Sequence, residues 1–323
     1  MGTKKEIDYL KAFAIFLVVF YHAVFTARLF DGNMFFMCLQ IALRLVHVPL
    51  FIMIAGYLCH KQVILQFYRK KADRILIPFL FMSFLKLVYN NLISAEHIHE
   101  GSIWEQIFDA YICGGTYWFC YCLLVIFAIA PLLWGNRKRI WAALAVFSAA
   151  NIFIQWNEIR ITDILQIGQV IYHLPFFLVG MLLWSYKVPE RLRKTRAGYI
   201  LIPVSLCIAG ICGYFRFFLD IYYQWYVDFL FGLGIMYLLY CLACVIRGKA
   251  ADHFLGTMGK YSLQIMFFDS FFREVLFLLI CLIMDVSAAA ALIVTVLDLA
   301  LCCLTSMLAG KVPVLSRLCG LKE

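Results

Sequence analysis

The first apolar segment of the chain carries polar residues at a spacing that suggests chemistry. Asp8, Lys11 and His22 lie within the stretch IDYLKAFAIFLVVFYHA. In a helix, the eleven residues from Lys11 to His22 make about three turns, so both side chains share one face, roughly 16 Å apart along the axis. A neutral imidazole accepts a proton from an attacking hydroxyl near neutral pH, or takes an acyl group itself. His22 is therefore a candidate catalytic residue; the alternative is a hydrogen-bonded packing residue.

A basic cluster lies in the later stretch FYRKKADRILIPFL, just before another apolar segment. It contains Arg69, Lys70, Lys71 and Arg74. Guanidinium and ammonium groups near one helix start are suited to hold the diphosphate and ribose phosphate of a coenzyme. Together with Lys11 they would form a cationic mouth. The alternative is that the cluster only marks the cytosolic side of a membrane span.

The composition of the chain indicates that these residues lie on membrane helices. Of the 323 residues, 65% are hydrophobic and 15% are charged, whereas soluble domains carry about 25% charged and under 50% apolar residues. Apolar stretches of about 20 residues recur along the chain, and no polar segment between them is long enough to fold. We therefore expect an all-α polytopic membrane bundle that forms a single domain over residues 1–323.

The apolar runs predict about ten transmembrane helices. Their approximate ranges are 10–30, 34–58, 75–93, 116–134, 140–155, 168–186, 197–216, 225–246, 261–283 and 287–309.

Basic residues mark every second connection between these runs. Twenty of the 28 basic residues lie on one side: Lys4, Lys5, Lys61, Arg69, Lys70, Lys71, Arg74, Arg137, Lys138, Arg139, Lys187, Arg191, Arg193, Lys194, Arg196, Arg247, Lys249, Lys311, Arg317 and Lys322. The opposite connections, near Asp31, residues 96–100, 155–163, 220–224 and Asp285, contain only Arg160. The asymmetry predicts that the basic side is cytosolic and that both termini lie there.

The net charge of +9 does not indicate nucleic acid, because the cations form short clusters between apolar runs instead of one continuous face. No metal is expected either. Two closely spaced cysteine pairs, Cys120 with Cys122 and Cys241 with Cys244, lack the second ligand pair that a zinc site needs.

Several segments resemble the acyltransferase 3 family of membrane acyltransferases. In family order they are Ile7-Asp8-Tyr9-Leu10-Lys11-Ala12 with His22, Pro49-Leu50-Phe51 to Ala55-Gly56-Tyr57-Leu58, Lys71-x-x-Arg74 with Pro78, Tyr117-Trp118-Phe119 to Leu123-Leu124 with Pro131, and Leu174-Pro175-Phe176-Phe177 to Gly180. The chain departs from the family pattern at Lys11, where the family has Arg, and at Asp269, near which it has His. The membrane half of serine-racemase resistance proteins is similar.

The resemblance implies an O-acetyltransferase-like enzyme in a plasma membrane, with a bacterial cell envelope as its setting. It implies transfer of an acyl group, in the first place acetyl, from cytosolic acyl-CoA to a hydroxyl or amine of a saccharide or other envelope acceptor. His22 would be the catalytic residue. Lys11, Arg69, Lys70, Lys71 and Arg74 would bind the coenzyme.

Other residues are candidates for the acceptor site. Arg44 and His47 lie one turn apart on the second span and would line an acceptor cavity, unless they form a structural polar pair. Tyr117, Trp118 and Tyr121 would form a wall for a sugar ring or thioester; the alternative for Tyr117 and Trp118 is interfacial anchoring.

Two other classes of function stay open. In a transporter or uptake module, Lys86, Arg44 and Asp298 would be coupling or substrate charges inside the bundle. A non-catalytic membrane subunit would bind a donor or envelope precursor without transferring anything.

Overall fold

The described part of the chain is built from helices. A computed structural model describes residues 4–31, 33–92, 102–219 and 224–321, and every regular element in these ranges is helical. The α-helices are α1 Lys4–Thr26, α2 Met34–Arg44, α3 His47–Tyr57, α4 Ile64–Lys71, α5 Ile77–Leu92, α6 Ile103–Phe108, α7 Trp118–Ile129, α8 Arg137–Trp156, α9 Ile167–Ser185, α10 Val188–Lys194, α11 Ala197–Phe218, α12 Trp225–Val245, α13 Lys249–Lys260, α14 Ser262–Cys281, α15 Ala288–Ala309 and α16 Pro313–Leu318.

Nine helical stretches in the described ranges are long and apolar enough to cross a membrane. They cover residues 4–26, 34–57, 64–92, 103–133, 137–156, 164–185, 197–218, 225–245 and 288–309. The tenth predicted span is α14, which has a matching length of 20 residues but contains Asp269, Arg273 and Glu274. The predicted all-α polytopic bundle is thus confirmed, and its tenth helix carries three charged residues close together.

Two observed stretches begin well before the predicted third and fourth spans. The first runs over 64–92 and the second over 103–133, against predictions of 75–93 and 116–134. A turn of π-helix at Ala72–Leu76 continues the first helical path through more polar sequence. In the second, the π-helical turn Asp109–Cys113 ends at Gly114, whose φ of 83° breaks the path before α7. An apolar run locates the part of a helix that suits lipid, and the helix itself extends beyond it.

Short helices α10, α13 and α16 collect on the side where α1 begins, which we call the basic side. Their polar composition kept them out of the predicted spans. Lys5 of α1 forms an ion pair with Asp252 of α13 at 2.5 Å, and Arg317 of α16 lies 3.7 Å from Asp73. These contacts tie separate basic connections into one surface, and its cytosolic orientation stays a prediction. Lys322, the predicted outer connection at 96–100 and residues 220–223 lie outside the described residues.

The helices α3 and α9 cross closely inside the bundle. A Cβ atom on Gly56 would lie 2.0 Å from the Phe177 carbonyl oxygen, and one on Gly180 would lie 2.0 Å from that of Met53. Only glycine allows two backbones to approach this closely. Next to this crossing, α1 packs against α3, α12, α13, α14 and α15, so the helix that carries His22 is largely surrounded by protein.

Candidate active site

The His22 side chain is held by a carboxylate from the charged helix α14. Its Nδ1 lies 2.7 Å from Oδ2 of Asp269, whose side chain is 1% exposed, whereas the imidazole is 35% exposed. With Nδ1–H donating to the carboxylate, the lone pair of Nε2 is left to accept a proton. The pair therefore orients a base whose reactive nitrogen is free of Asp269.

Further charges surround Asp269. Arg273, one turn further along α14, donates through Nη1 to the same Oδ2 at 2.5 Å. Asp298 of α15 is 0% exposed and also forms a side-chain hydrogen bond with Asp269. One of two hydrogen-bonded carboxyls must carry a proton. Because Asp269 already accepts bonds from Arg273 and His22, the proton belongs on Asp298, which itself accepts from the Cys302 thiol at 3.3 Å.

A cavity of about 620 Å³ opens beside His22. It lies within the size range of small-molecule sites. The lining residues are Val18, Tyr21, His22, Arg44, Leu45, His47, Val48, Phe51, Thr116, Tyr117, Trp118, Phe119, Gln155, Gly168, Gln169, Tyr172, His173, Asp228, Met266, Asp269, Ser270 and Arg273. We call it the polar cavity. Its walls bring the predicted catalytic residue together with four of the five predicted acceptor-binding residues.

Tyr121 is the predicted acceptor-binding residue that the structure does not bring to this wall. Its ring packs against Phe79 of α5, with centroids 5.6 Å apart. Tyr117 and Trp118 do line the cavity. The Tyr117 hydroxyl lies 3.0 Å from both the Phe267 carbonyl oxygen and the Ser270 hydroxyl, and it is buried. Tyr117 is therefore held inside the bundle and is not an interfacial anchor.

A break in the second span places Arg44 and His47 on the cavity wall. α2 ends at Arg44 and α3 starts at His47, with Pro49 in the first turn of α3, where its missing N–H is tolerated. The His47 Nδ1 lies 2.6 Å from the Leu43 carbonyl oxygen. His47 is 4% exposed. The same carbonyl accepts the Val46 N–H at 3.0 Å, so His47 reinforces the break between the two helices and is partly a structural residue.

The predicted coenzyme-binding residues lie on the basic side, and none of the five lines the polar cavity. Arg69, Lys70 and Arg74 are exposed. The Lys71 ammonium lies 3.7 Å from the centre of the Phe127 ring, a cation–π contact. Lys11 is half-buried and 3.4 Å from Asp8. The basic cluster and His22 are therefore separate sites, joined only if a ligand spans the distance between them.

A second cavity, of about 290 Å³, lies toward the basic side and is almost entirely apolar. Its lining residues are Glu6, Ile7, Leu10, Met53, Ile54, Tyr57, Val179, Leu183, Val188, Pro189, Leu192, Leu233, Met236, Tyr237 and Tyr240. We call it the apolar cavity. Like the polar cavity, it is bounded by α1, α3, α9 and α12, so the two follow one another along the same helices.

The two cavities are lined by different parts of the helices that they share. On α1, Leu10 faces one and Val18 the other, about 12 Å apart along the helix, and Ala14 between them is fully buried. On α9 and α12, Phe176 and Phe229 fall in sequence between the residues that line the two cavities, and their ring centroids are 4.7 Å apart.

Two of the three charges that would serve a transporter, Lys86 and Asp298, are engaged in other ways. Lys86 donates to the Ser270 carbonyl oxygen at 2.8 Å and lies 3.4 Å from Glu274. Asp298 is bonded to Asp269 and Cys302. Both residues therefore support α14, the helix that holds the His22 partner.

Sequence reasoning found His22 but not its partner. Asp269 stood out only as a departure from a family pattern, although an acidic residue one turn before Arg273 within an apolar run is itself a signal, since charges in lipid are costly. His173 and Asp228, both buried in the cavity wall, were not predicted as site residues.

Comparison with known proteins identifies a family. A family model described as an acyltransferase domain matches residues 4–307, nearly the whole chain. No curated protein and no solved structure matches the chain.

Proposed function

We propose, for a chain that belongs to the acyltransferase 3 family of membrane acyltransferases, that the donor is acyl-CoA from the cytosol and the transferred group is acetyl. The acceptor is a hydroxyl or amine of a saccharide or other envelope molecule, in a bacterial plasma membrane. Membrane acyltransfer in general follows from the family. The observation that carries the finer proposal is the pairing of His22 with a buried Asp269 at the wall of a ligand-sized cavity.

His22 acts as the general base. The acceptor hydroxyl attacks the thioester carbonyl carbon while Nε2 takes the hydroxyl proton, and the buried Asp269 stabilises the imidazolium that forms. Collapse of the tetrahedral intermediate breaks the C–S bond. The proton then passes from His22 to the departing thiolate, which gives the acylated acceptor, free coenzyme thiol and neutral His22. Arg273 keeps Asp269 ionised and fixed through this cycle.

The donor approaches through the apolar cavity. A pantetheine arm is uncharged and slender, which suits a shaft lined by side chains such as Leu10, Leu183 and Leu233. That shaft leads along α1 towards His22, and the thioester reaches the imidazole when the rings of Phe176 and Phe229 part. A roughly 16 Å rise from Lys11 to His22 is of the same order as an extended pantetheine arm.

The coenzyme phosphates stay on the basic side. Arg69, Lys70 and Arg74 are exposed there and free to meet them, and Lys11 follows directly after Leu10 on α1. Lys71 supports the cluster by its contact with Phe127. The acceptor enters the polar cavity, where Arg44, His47, Tyr117 and Trp118 face it.

The first experiment measures transfer from labelled acetyl-CoA by the purified chain in detergent micelles. We expect His22→Ala to lower turnover by about 10²-fold to 10⁴-fold, the usual contribution of a general base, with an unchanged unfolding temperature. His253→Ala is the matched control, because His253 is exposed on α13. Full activity in His22→Ala would remove the catalytic assignment.

The second experiment identifies the acceptor and the acyl group. Envelope glycans from cells that carry or lack the gene are compared by mass spectrometry, and we expect an added acetyl mass only when the gene is present. A longer acyl mass would correct the donor. Binding of acetyl-CoA without transfer to any glycan, and without hydrolysis, would favour the non-catalytic subunit.

A further inference from the structure

The wall of the polar cavity contains a second carboxylate, Asp228 of α12, which has partners of its own. The Arg216 Nε lies 3.0 Å from Oδ1 of Asp228, and the two side chains are 9% and 6% exposed. The Tyr172 hydroxyl also hydrogen-bonds Asp228. This carboxylate is therefore already matched by a guanidinium and a hydroxyl, both from neighbouring helices.

Arg44 lies beside this pair without a carboxylate of its own. It lines the cavity and is exposed to it. No hydrogen bond or ion pair of its side chain occurs among the described residues. It lines the same cavity as Asp228, His47 and His173. A guanidinium in this position has five donors available to a ligand.

A second group in the same wall also lacks a partner. His173 is 5% exposed and lines the cavity, yet its Nδ1 has no hydrogen-bond partner. Its ring stacks on Trp118, with centroids 6.0 Å apart. Buried polar atoms are nearly always hydrogen-bonded, and an unsatisfied one is destabilising. A ligand atom that reaches this nitrogen would remove that penalty.

The formal charges give the sign of the ligand. Arg273 is matched by Asp269 and Arg216 by Asp228, while Asp298 carries the proton shared with Asp269. Among the described residues, Arg44 is therefore the cavity-lining cation without a carboxylate partner. A guanidinium that faces a ligand-sized cavity is suited to bind an anion by charge-assisted hydrogen bonds.

We infer that the acceptor carries an anionic group, a carboxylate or a phosphate, which Arg44 and His173 bind in the polar cavity beside His22. The inference rests on the proposed function in treating the cavity ligand as the acyl acceptor. It narrows the acceptor class to acidic saccharides such as uronic acids or sugar phosphates. The anion fixes the acceptor at Arg44 while a hydroxyl of the same molecule lies within reach of His22.

The test uses binding, which needs no turnover. Purified chain in detergent is titrated with glucose, glucuronate and glucose 1-phosphate, and affinity is measured by calorimetry or thermal shift. We expect at least one anionic probe to bind about tenfold or more tightly than glucose, as a charge-assisted hydrogen bond predicts. Tighter binding of glucuronate would indicate a carboxylate ligand, and tighter binding of glucose 1-phosphate would indicate a phosphate ligand.

Arg44→Gln should abolish that preference, and Arg44→Lys should restore part of it. Arg160→Gln is the control, because Arg160 is an exposed cation in a predicted outer connection. His173→Phe, which keeps the stacking surface, should weaken anion binding independently. If Arg44→Gln fails to fold, the His173→Phe comparison and the probe series on the unmodified chain decide the matter.

Equal affinity for glucose and both anions, or an unchanged preference in Arg44→Gln, would overturn the inference. His22→Ala keeps the two proposals apart. An anion preference retained in that variant, together with no transfer by the unmodified chain, would leave the anion site standing while the acyltransfer proposal fell.

Discussion

The polar and apolar cavities share four helices but differ in the chemistry of their lining side chains. Around His22, charges from α2, α12 and α14 converge, and carboxylates there are matched by guanidinium groups. The apolar cavity offers leucine, isoleucine and tyrosine side chains, with Glu6 at its edge. The difference fits the proposal that an acceptor is bound in one cavity by charge and hydrogen bonding, and that an uncharged, slender donor arm occupies the other.

The largest effect is expected from Asp269→Asn, which tests whether the charges of the polar cavity take part in catalysis. Asp269→Asn keeps the size of the side chain but loses the anion that orients His22 and pairs with Arg273. We expect acetyl transfer to fall by about 10²-fold or more, as for a lost base. Initial rates and the unfolding temperature are measured together. Normal rates in a well-folded variant would show that the pair is structural.

The next effect concerns the close crossing of α3 and α9, two helices that both cavities share. Gly56→Ala forces a methyl group towards the Phe177 carbonyl oxygen, and we expect a loss of about 1–3 kcal/mol in stability, typical of overpacking. Thermal unfolding in micelles measures it. Gly210→Ala is the control, since no atom lies within 4 Å of its Cβ position. It should be neutral or slightly stabilising.

Filling the apolar cavity would test whether it holds the donor. Leu233→Trp places an indole in the proposed donor shaft, and we expect the KM for acetyl-CoA to rise about tenfold, the loss of roughly 1.4 kcal/mol of binding. The KM for the acceptor should not change. Leu242→Trp, on the exposed face of the same helix, is the matched control. A changed acceptor KM alone would reverse the assignment of the two cavities.

The smallest effect lies outside both cavities, on the basic side. The pKa of Asp252 is lowered by its hydrogen bond to Lys5 and by the one it accepts from the Tyr9 hydroxyl. Stability from this carboxylate is therefore present above its unfolded pKa near 3.8 and is lost as the pH falls through the lower folded value. Asp252→Asn should slightly lower the unfolding temperature at pH 7, a difference that shrinks below pH 4 as the carboxylate protonates.

The sequence allowed the helices to be predicted more fully than the site. Apolar runs predict spans because each must be long enough to cross lipid. Polar helices such as α13 escape that search because packing against α1, seen in the Asp252 contacts, gives them their stability. His22 could be found from spacing within one helix, whereas Asp269 is 247 residues away in sequence. No local pattern encodes a contact of that range.

The cavities themselves were beyond prediction for a similar reason. Tyr117, Trp118 and Tyr121 are close in sequence, yet Tyr121 turns towards Phe79 and away from the polar cavity. Which face of α7 meets a ligand depends on how α5 and α9 pack around it, and the composition of α7 is apolar on all sides.

The charges of α14 also bear on how the chain is made. Asp269, Arg273 and Glu274 would each oppose entry into the bilayer by at least about 2.5 kcal/mol if the segment left the translocon alone. Asp269 and Arg273 can form an ion pair within the helix. Glu274 can pair with Lys86, which precedes it in the chain and is synthesised earlier. Asp298, the carboxyl group that interacts with Asp269, lies on α15 and is synthesised later. The partners of the α14 charges are therefore complete only once α15 has been synthesised, so a chain truncated before α15 should be poorly inserted and rapidly degraded.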